Sequence, residues 1–271
     1  MEILFFCPRW GHSHLRWDDL AFKVKQAGYD GIETDIPTDI AEREEMLNAM
    51  ARHGLLFIAQ HWETVEPDHY LHSEEYAERL SQLAAVKPLF INSQTGKDYY
   101  SYEQNKQLLT QALGITAATG TAIYHETHRG KFSFAAHVTR EYLQRLTGLE
   151  ITLDISHWCA VAETLLQDQP EAVQLAISRT RHIHARVGCI EGPQVNDPRA
   201  PEWEQELQFH LRCWDAVVDM HRQMERAALT FTVEFGPFPY MPRYPYTRQP
   251  VADQWEINLH MKDLLKKRYS A

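Results

Sequence analysis

Short apolar runs that end in polar residues alternate along the whole chain with longer segments of helical spacing. The runs begin near Ile3 (ILFFC), Gly31 (GIETDI), Leu55 (LLFIAQH), Pro88 (PLFINS), Thr121 (TAIYHE), Leu149 (LEITLD), Thr180 (TRHIHARV) and Leu229 (LTFTVEF). The first six gaps each have room for one crossover helix and two short loops, the arrangement that parallel strands require. Eight such units predict a single-domain α/β fold, a closed (β/α)8 TIM barrel over residues 1–271. Helices are expected over Asp18–Ala27, Ile40–His53, Ser73–Ala85, Tyr102–Thr119 and Phe134–Leu146. Gly28, Gly54, Gly120 and Gly148 follow four of them, where a glycine ends a helix at low cost. The last gap is longer, and its excess falls in the Gly- and Pro-rich stretch Gly188–Glu202. That stretch follows the seventh strand, so it is expected at the barrel mouth, where long loops often serve function.

Composition removes several alternatives. Hydrophobic content of 44% suits a soluble globular protein. No apolar stretch approaches the roughly 18–20 residues that span a bilayer, so no membrane association is expected. The opening residues lack a basic, then apolar, export pattern. Cys7, Cys159, Cys189 and Cys213 form no CxxC pair and read as free thiols of a cytoplasmic protein. A net charge of −10 disfavours nucleic acid as a partner.

In such a barrel chemistry sits at the C-terminal ends of the strands, and the later runs end in ionisable residues. Glu33 and Asp35 end the second, and Gln60, His61 and Glu63 the third. Glu126 follows TAIY-His, Asp154 follows EITL, His184 follows His-Ile, and Glu234 follows TFTV. A lone carboxylate at a strand end is usually a helix cap or a salt-bridge partner. Three carboxylates converging on one mouth repel each other, and a divalent cation removes the conflict. Three oxygen donors and one imidazole suit Mn2+ best, with Mg2+ or Co2+ close behind and Zn2+ less natural. His182 lies on the same strand face as His184, which is nearer the strand end.

Glu at the fifth strand, Asp-x-x-His at the sixth, His at the seventh and Glu at the eighth resemble the xylose-isomerase-like superfamily. The segments that carry the likeness are YHETHRG, LDISHW, HIHARVG and TVEFGP. The family includes ketose 3-epimerases, hydroxypyruvate isomerase, inosose dehydratase and endonuclease IV. The resemblance implies one metal held by Glu126, Asp154, His184 and Glu234, with Glu126 and Glu234 also exchanging protons with substrate. It implies that His157 contacts a substrate oxygen. The arginine that the epimerases carry six residues after the seventh-strand histidine is Ile190 here, and Arg186 is the nearest substitute. The extra ligands of a three-zinc nuclease are missing: Asp197-Pro198-Arg199 stands where Asp-x-His is needed.

The implied activity is a divalent-metal-dependent isomerase or epimerase of a sugar or sugar phosphate. It takes a proton from the carbon beside a carbonyl, and the metal stabilises the enediolate. A keto-sugar or inosose dehydratase starts the same way and is the alternative; a metal-dependent phosphodiesterase comes after it. His61, His128, Arg129 and Arg186 are expected to meet hydroxyls or a phosphate, and Trp158, with Trp10 and Trp62, to cover a sugar face. Related barrels often form dimers or tetramers, so a homo-oligomer is expected by analogy.

Overall fold

The apolar runs are short because each strand is buried on both faces and leaves the barrel as soon as polar residues begin. A computed structural model describes residues 1–269. The strands are β1 (Glu2–Pro8), β2 (Gly31–Thr34), β3 (Leu56–His61), β4 (Ile91–Ser93), β5 (Ile123–Glu126), β6 (Ile151–Leu153), β7 (Thr180–His184) and β8 (Ala228–Thr232). All pair in parallel in chain order, and β1 closes on β8. Every expected strand is present, and the chain is a (β/α)8 barrel.

The helices around it are α1 (Trp17–Gln26), α2 (Ile40–His53), α3 (His69–Ala85), α4 (Tyr102–Thr119), α5 (Ala136–Arg145), α6 (Ile155–Ala162), α7 (Pro170–Arg179), α8 (Glu204–Gln223) and α9 (Gln254–Tyr269). The expected bounds of α2 and α4 match, because Gly54 and Gly120 adopt the left-handed conformation that ends a helix. Gly148 plays no such part: α5 stops at Arg145 with Leu146 at its cap. α3 starts earlier than expected, because Asp68 caps it by accepting from Tyr70 and Leu71 N–H. The gap after β6 holds two helices rather than one, because Asp154 caps α6 immediately after the strand.

Period-two alternation decides what enters the barrel. Phe6, Ile58 and Phe90 pack together as a small inner core. Two residues further along their strands come Gln60 and Asn92, and the matching steps on β5, β7 and β8 bring Glu126, His184 and Glu234 toward the mouth. The outward positions join the main core with the helices, where Phe5, Phe231, Trp158 and Trp214 are buried.

The stretch 188–202 is a brace rather than a cavity wall. Cys189 and Gly192 exchange backbone hydrogen bonds, and Val195 N–H donates to Val187 O at 2.9 Å. Gln194 then clamps Gly236, accepting from its N–H at 2.7 Å and donating to its carbonyl at 3.1 Å. His210 on α8 supports the same region: Gly188 N–H donates to its Nε2 at 3.3 Å, and its Nδ1 lies 2.8 Å from Glu206 O. Both nitrogens are thereby used by the neutral ring, and burial pushes its pKa down to about 4.

A histidine depressed in the folded state leaves the unfolded chain with more protons once pH falls below 6.5. Stability is therefore expected to fall from pH 6.5 down to about 4. His210→Gln keeps an acceptor for Gly188 N–H and removes the titration. Denaturant unfolding between those pH values should show its slope reduced by up to about 1.4 kcal/mol per pH unit relative to wild type; an unchanged slope would count against this role.

Candidate metal centre

Four of the inward residues form a ring. One donor atom each from Glu126, Asp154, His184 and Glu234 lie within 4.8 Å of one another, and all four residues are buried. One oxygen of each carboxylate is fixed by amide or Ser156 donors, and the other faces the ring, where Arg186 also reaches Asp154 Oδ2 and Glu234 Oε2. Glu126 Oε2 accepts from Asn92 Nδ2 at 3.1 Å and from Gln94 Nε2 at 3.2 Å. Glu234 Oε1 accepts from Gln60 Nε2 at 3.3 Å. Asp154 Oδ1 accepts from the N–H and hydroxyl of Ser156, at 3.1 and 2.5 Å.

The remaining atoms face one another. His184 Nδ1 is 3.0 Å from Glu234 Oε2 and 3.6 Å from Glu126 Oε1. His184 Nδ1 and Glu126 Oε1 are fully buried and make no hydrogen bond of acceptable geometry. Two orphaned buried atoms beside two more carboxylate oxygens are what a cation would satisfy. Burial alone would raise the Glu126 carboxyl, but His184 holds it down to about 2. Burial pushes Asp154 up to about 6 against the opposing pull of Arg186. Burial would lower His184, but Glu234, Glu33 and Glu126 outweigh it and hold the ring well above its usual range. The upward shifts of Asp154 and His184 are those of a cluster with an excess of negative charge, while Glu126 is kept ionised by its histidine neighbour. The donors fit a divalent ion, and three carboxylates with one imidazole favour an oxygen-seeking metal.

Arg186 supplies the positive charge on the cavity side. Its Nη2 pairs with Asp154 Oδ2 and lies 2.8 Å from His157 Nε2, its Nε donates to Ser156 Oγ at 3.3 Å, and its Nη1 is 3.3 Å from Glu234 Oε2. A guanidinium only donates, so His157 Nε2 is an acceptor here. Burial, with the nearby charges of His128 and Arg186, keeps His157 well below its usual pKa, hence neutral.

Above the ring lies a cavity of about 340 Å3. Its walls include Gln60, Gln94, Glu126, Arg186 and Glu234, and its aromatic surfaces are Trp10, Trp62 and Tyr240. Trp10 rests edge-on against Tyr240, ring centroids 5.0 Å apart. Gly236 makes room for that indole, since a Cβ there would overlap it. Arg129 and Arg186 both approach the Tyr240 ring, at 5.3 and 4.9 Å.

The expected residues fall into three groups. Glu126, Asp154, His184 and Glu234 come together as the ring. Arg186 and His128 line the cavity, and the exposed Arg129 stands at its rim beside Tyr240. His157 is fully buried below the cavity wall, its ring centroid 4.0 Å from that of His128. His61 and Trp158 lie outside the cavity. Gln60 points inward to Glu234, so alternation turns His61 outward, where it meets Ser93 at 3.1 Å and Thr64 at 2.8 Å. Trp158 is buried in the core, its indole N–H donating to Ser133 O at 2.8 Å.

Residues not assigned from sequence are Glu33, Gln60, Asn92, Gln94 and Tyr240. Strand phase carries the signal for the first four, since each lies an even number of residues from an inward position on its own strand. Two other groups could also hold an ion: Glu33, His182 and His184, and Glu126, His128 and His157. Within the first, the side chains already hydrogen-bond one another, with His182 Nε2 3.2 Å and His184 Nε2 3.0 Å from Glu33. In the second, the lone pair of His157 Nε2 is taken by Arg186.

No known family profile matches the chain, and no curated protein matches it by sequence. Solved structures do match its shape. A 3-keto-D-glucoside 4-epimerase from E. coli is 14% identical with a TM-score of 0.61, covering 98% of this chain and 100% of that one. A probable 3-DHS dehydratase from Bacillus anthracis is 16% identical with a TM-score of 0.60, covering 98% and 99%. A xylose isomerase domain-containing protein from Salmonella typhimurium is 12% identical with a TM-score of 0.61, covering 97% and 96%. The fold shared with these structures is a closed (β/α)8 TIM barrel.

Titration with Mn2+ is expected to show one ion per chain, and an ion at 100 times its Kd should stabilise the fold by about 2.7 kcal/mol. Glu126→Gln combined with Asp154→Asn should weaken binding by more than the roughly 10- to 100-fold that losing an outer partner costs. Calorimetry giving wild-type affinity for that double variant would exclude the ring as the site.

Proposed function

We propose that the chain is a divalent-metal-dependent isomerase or epimerase acting on a small sugar or sugar phosphate. The observation that carries this reading is the pair of glutamates, Glu126 and Glu234, that reach one cavity from β5 and β8, each with one oxygen fixed by side-chain amides. A binding site alone has no need of two such bases. The ring residues would hold Mn2+ or a similar ion, which supplies Lewis acidity to a substrate carbonyl when bound.

The side chains account for the rest. Trp10, Trp62 and Tyr240 offer apolar faces to a sugar ring, and Gln60 and Gln94 keep the carboxylates aimed. Glu126 is held ionised near neutral pH, so it can accept a proton from the carbon beside the carbonyl. Charge then develops on the carbonyl oxygen, and the cavity-facing guanidinium of Arg186 can stabilise it. For epimerisation Glu234 must enter the cycle carrying a proton, which it gives to the opposite face of the same carbon; Glu126 is left protonated and Glu234 ionised, and exchange with water resets both. Return of a proton to the neighbouring carbon gives the aldose–ketose isomer. His157, buried and neutral, acts in this scheme by holding Arg186 rather than by touching substrate.

The test is incubation of Mn2+-loaded protein with free and phosphorylated ketoses and keto-sugars in D2O, worked up after metal removal and read by NMR and mass spectrometry. Deuterium is expected at the carbon beside the carbonyl, with mass otherwise conserved. Loss of 18 mass units (about one water) would move the reaction to a dehydratase, because elimination follows the same first proton transfer. Glu234→Gln should cut isomer formation by at least about 100-fold, within the range that a lost general acid or base costs. Retained turnover would remove Glu234 from the mechanism.

A further inference from the structure

The barrel interior holds a fourth carboxylate that the proposed reaction does not use. Glu33, on β2, is only 2% exposed and does not line the cavity. A buried carboxylate without a purpose is costly, and an apolar residue of similar size would spare the fold that cost. Yet Glu33 is surrounded by four donor side chains from three strands, β4, β7 and β8. Asn92 Nδ2 donates to Oε1 at 2.9 Å. Thr232 Oγ1 donates to Oε2. His182 Nε2 lies 3.2 Å from Oε2, and His184 Nε2 lies 3.0 and 3.1 Å from the two oxygens.

An ionised carboxylate only accepts, so a ring nitrogen facing it carries the proton. Both Glu33 oxygens already accept from other donors, Oε1 from the Asn92 amide and Oε2 from the Thr232 hydroxyl, so the carboxylate faces His184 as an acceptor. A metal binds the neutral ring, and in that ring Nε2, which faces Glu33 at 3.0 and 3.1 Å, is the nitrogen that keeps the proton. The lone pair then falls on Nδ1, the orphaned atom that faces Glu126 and Glu234. The same carboxylate reaches Glu126 through Asn92, whose amide nitrogen bonds Glu33 Oε1 and Glu126 Oε2 together. Glu33 is not itself free to ligate, because both its oxygens are occupied by these donors.

We infer that Glu33 is a positioning residue for the metal: it fixes the tautomer and orientation of His184, so that Nδ1 enters the ring, and steadies Glu126 through Asn92. The inference rests on the metal centre proposed above. It also explains why His182 sits where it does. His182 Nδ1 is anchored at Thr230, 2.7 Å from Oγ1 and 3.0 Å from the backbone carbonyl, so its Nε2 supports the same carboxylate from below.

The experiment is Mn2+ titration of wild type and Glu33→Gln by calorimetry, with circular dichroism to confirm that the variant is folded. Alongside it, 15N NMR of the histidine rings is recorded on wild type with and without Zn2+. A glutamine offers a single acceptor oxygen and turns an N–H toward the other donors, so the His184 ring loses its fixed tautomer. Binding about 10- to 100-fold weaker in a folded Glu33→Gln protein is the expected result. A folded variant that binds Mn2+ as tightly as wild type overturns the inference. If the variant does not fold, the wild-type spectra decide: a proton on His184 Nε2 with Zn2+ on Nδ1 supports it, and the reverse assignment overturns it. A wild-type protein that takes up no Mn2+ removes the metal centre itself, an outcome distinct from one in which only the variant keeps its affinity.

Discussion

Four carboxylates share the interior of one barrel with too little positive charge to balance them. Glu33, Glu126, Asp154 and Glu234 are all at most 5% exposed, and Arg186 is the guanidinium buried among them. Charges of one sign at these separations, away from water, repel by several kcal/mol even at an effective dielectric constant near 20. Everything near the mouth can be understood as a response. Amides from Gln60, Asn92 and Gln94 take the outer lone pairs, α6 begins with the N–H of Ser156 on Asp154, and His184 is drawn toward its charged form. What these responses leave is a small set of oxygen atoms and one imidazole nitrogen turned toward each other.

The barrel makes this arrangement affordable. Strands buried on both faces bring alternate residues to the axis in layers, and the layer below the carboxylates is apolar, built on Phe6, Ile58 and Phe90. That floor keeps water from reaching the ring from beneath and fixes the height at which Asn92 and Gln60 emerge. Rigidity at the rim comes from elsewhere. The segment after β7 gives Gln194, and α9 gives Gln254 and Asn258; all three hydrogen-bond the backbone of Phe235 or Gly236 just beyond Glu234. A base that moves a proton between fixed faces of a substrate benefits from such anchoring.

Much of this was readable from the chain. The strands could be found because each apolar run is closed by a polar residue, and the four ring residues because each follows such a run directly. Two kinds of information were missed. Strand phase was used only to pair His182 with His184; carried through β3 it separates Gln60, which faces the axis, from His61, which faces α3. Carried through β2, it puts Glu33 inside with them. Loop contacts, by contrast, have no local signature. That Trp158 bonds Ser133, or that Tyr240 folds back over Arg186, depends on distant segments meeting. The long segment 188–202 is expected at the mouth because it follows β7, and there it forms a tight brace closed by Cys189 with Gly192 and by Val187 with Val195.

The missing side chain at Gly236 has a further consequence. One wall of the cavity is an indole pressed against bare main chain, two residues after Glu234 of the ring. The breadth of the opening is thus coupled to the height of Glu234: any bulk added at position 236 would push Trp10 into the cavity and displace the Glu234 carboxylate together. The width of the cavity on this side is therefore open to change at Trp10 and Tyr240, and closed to it at position 236.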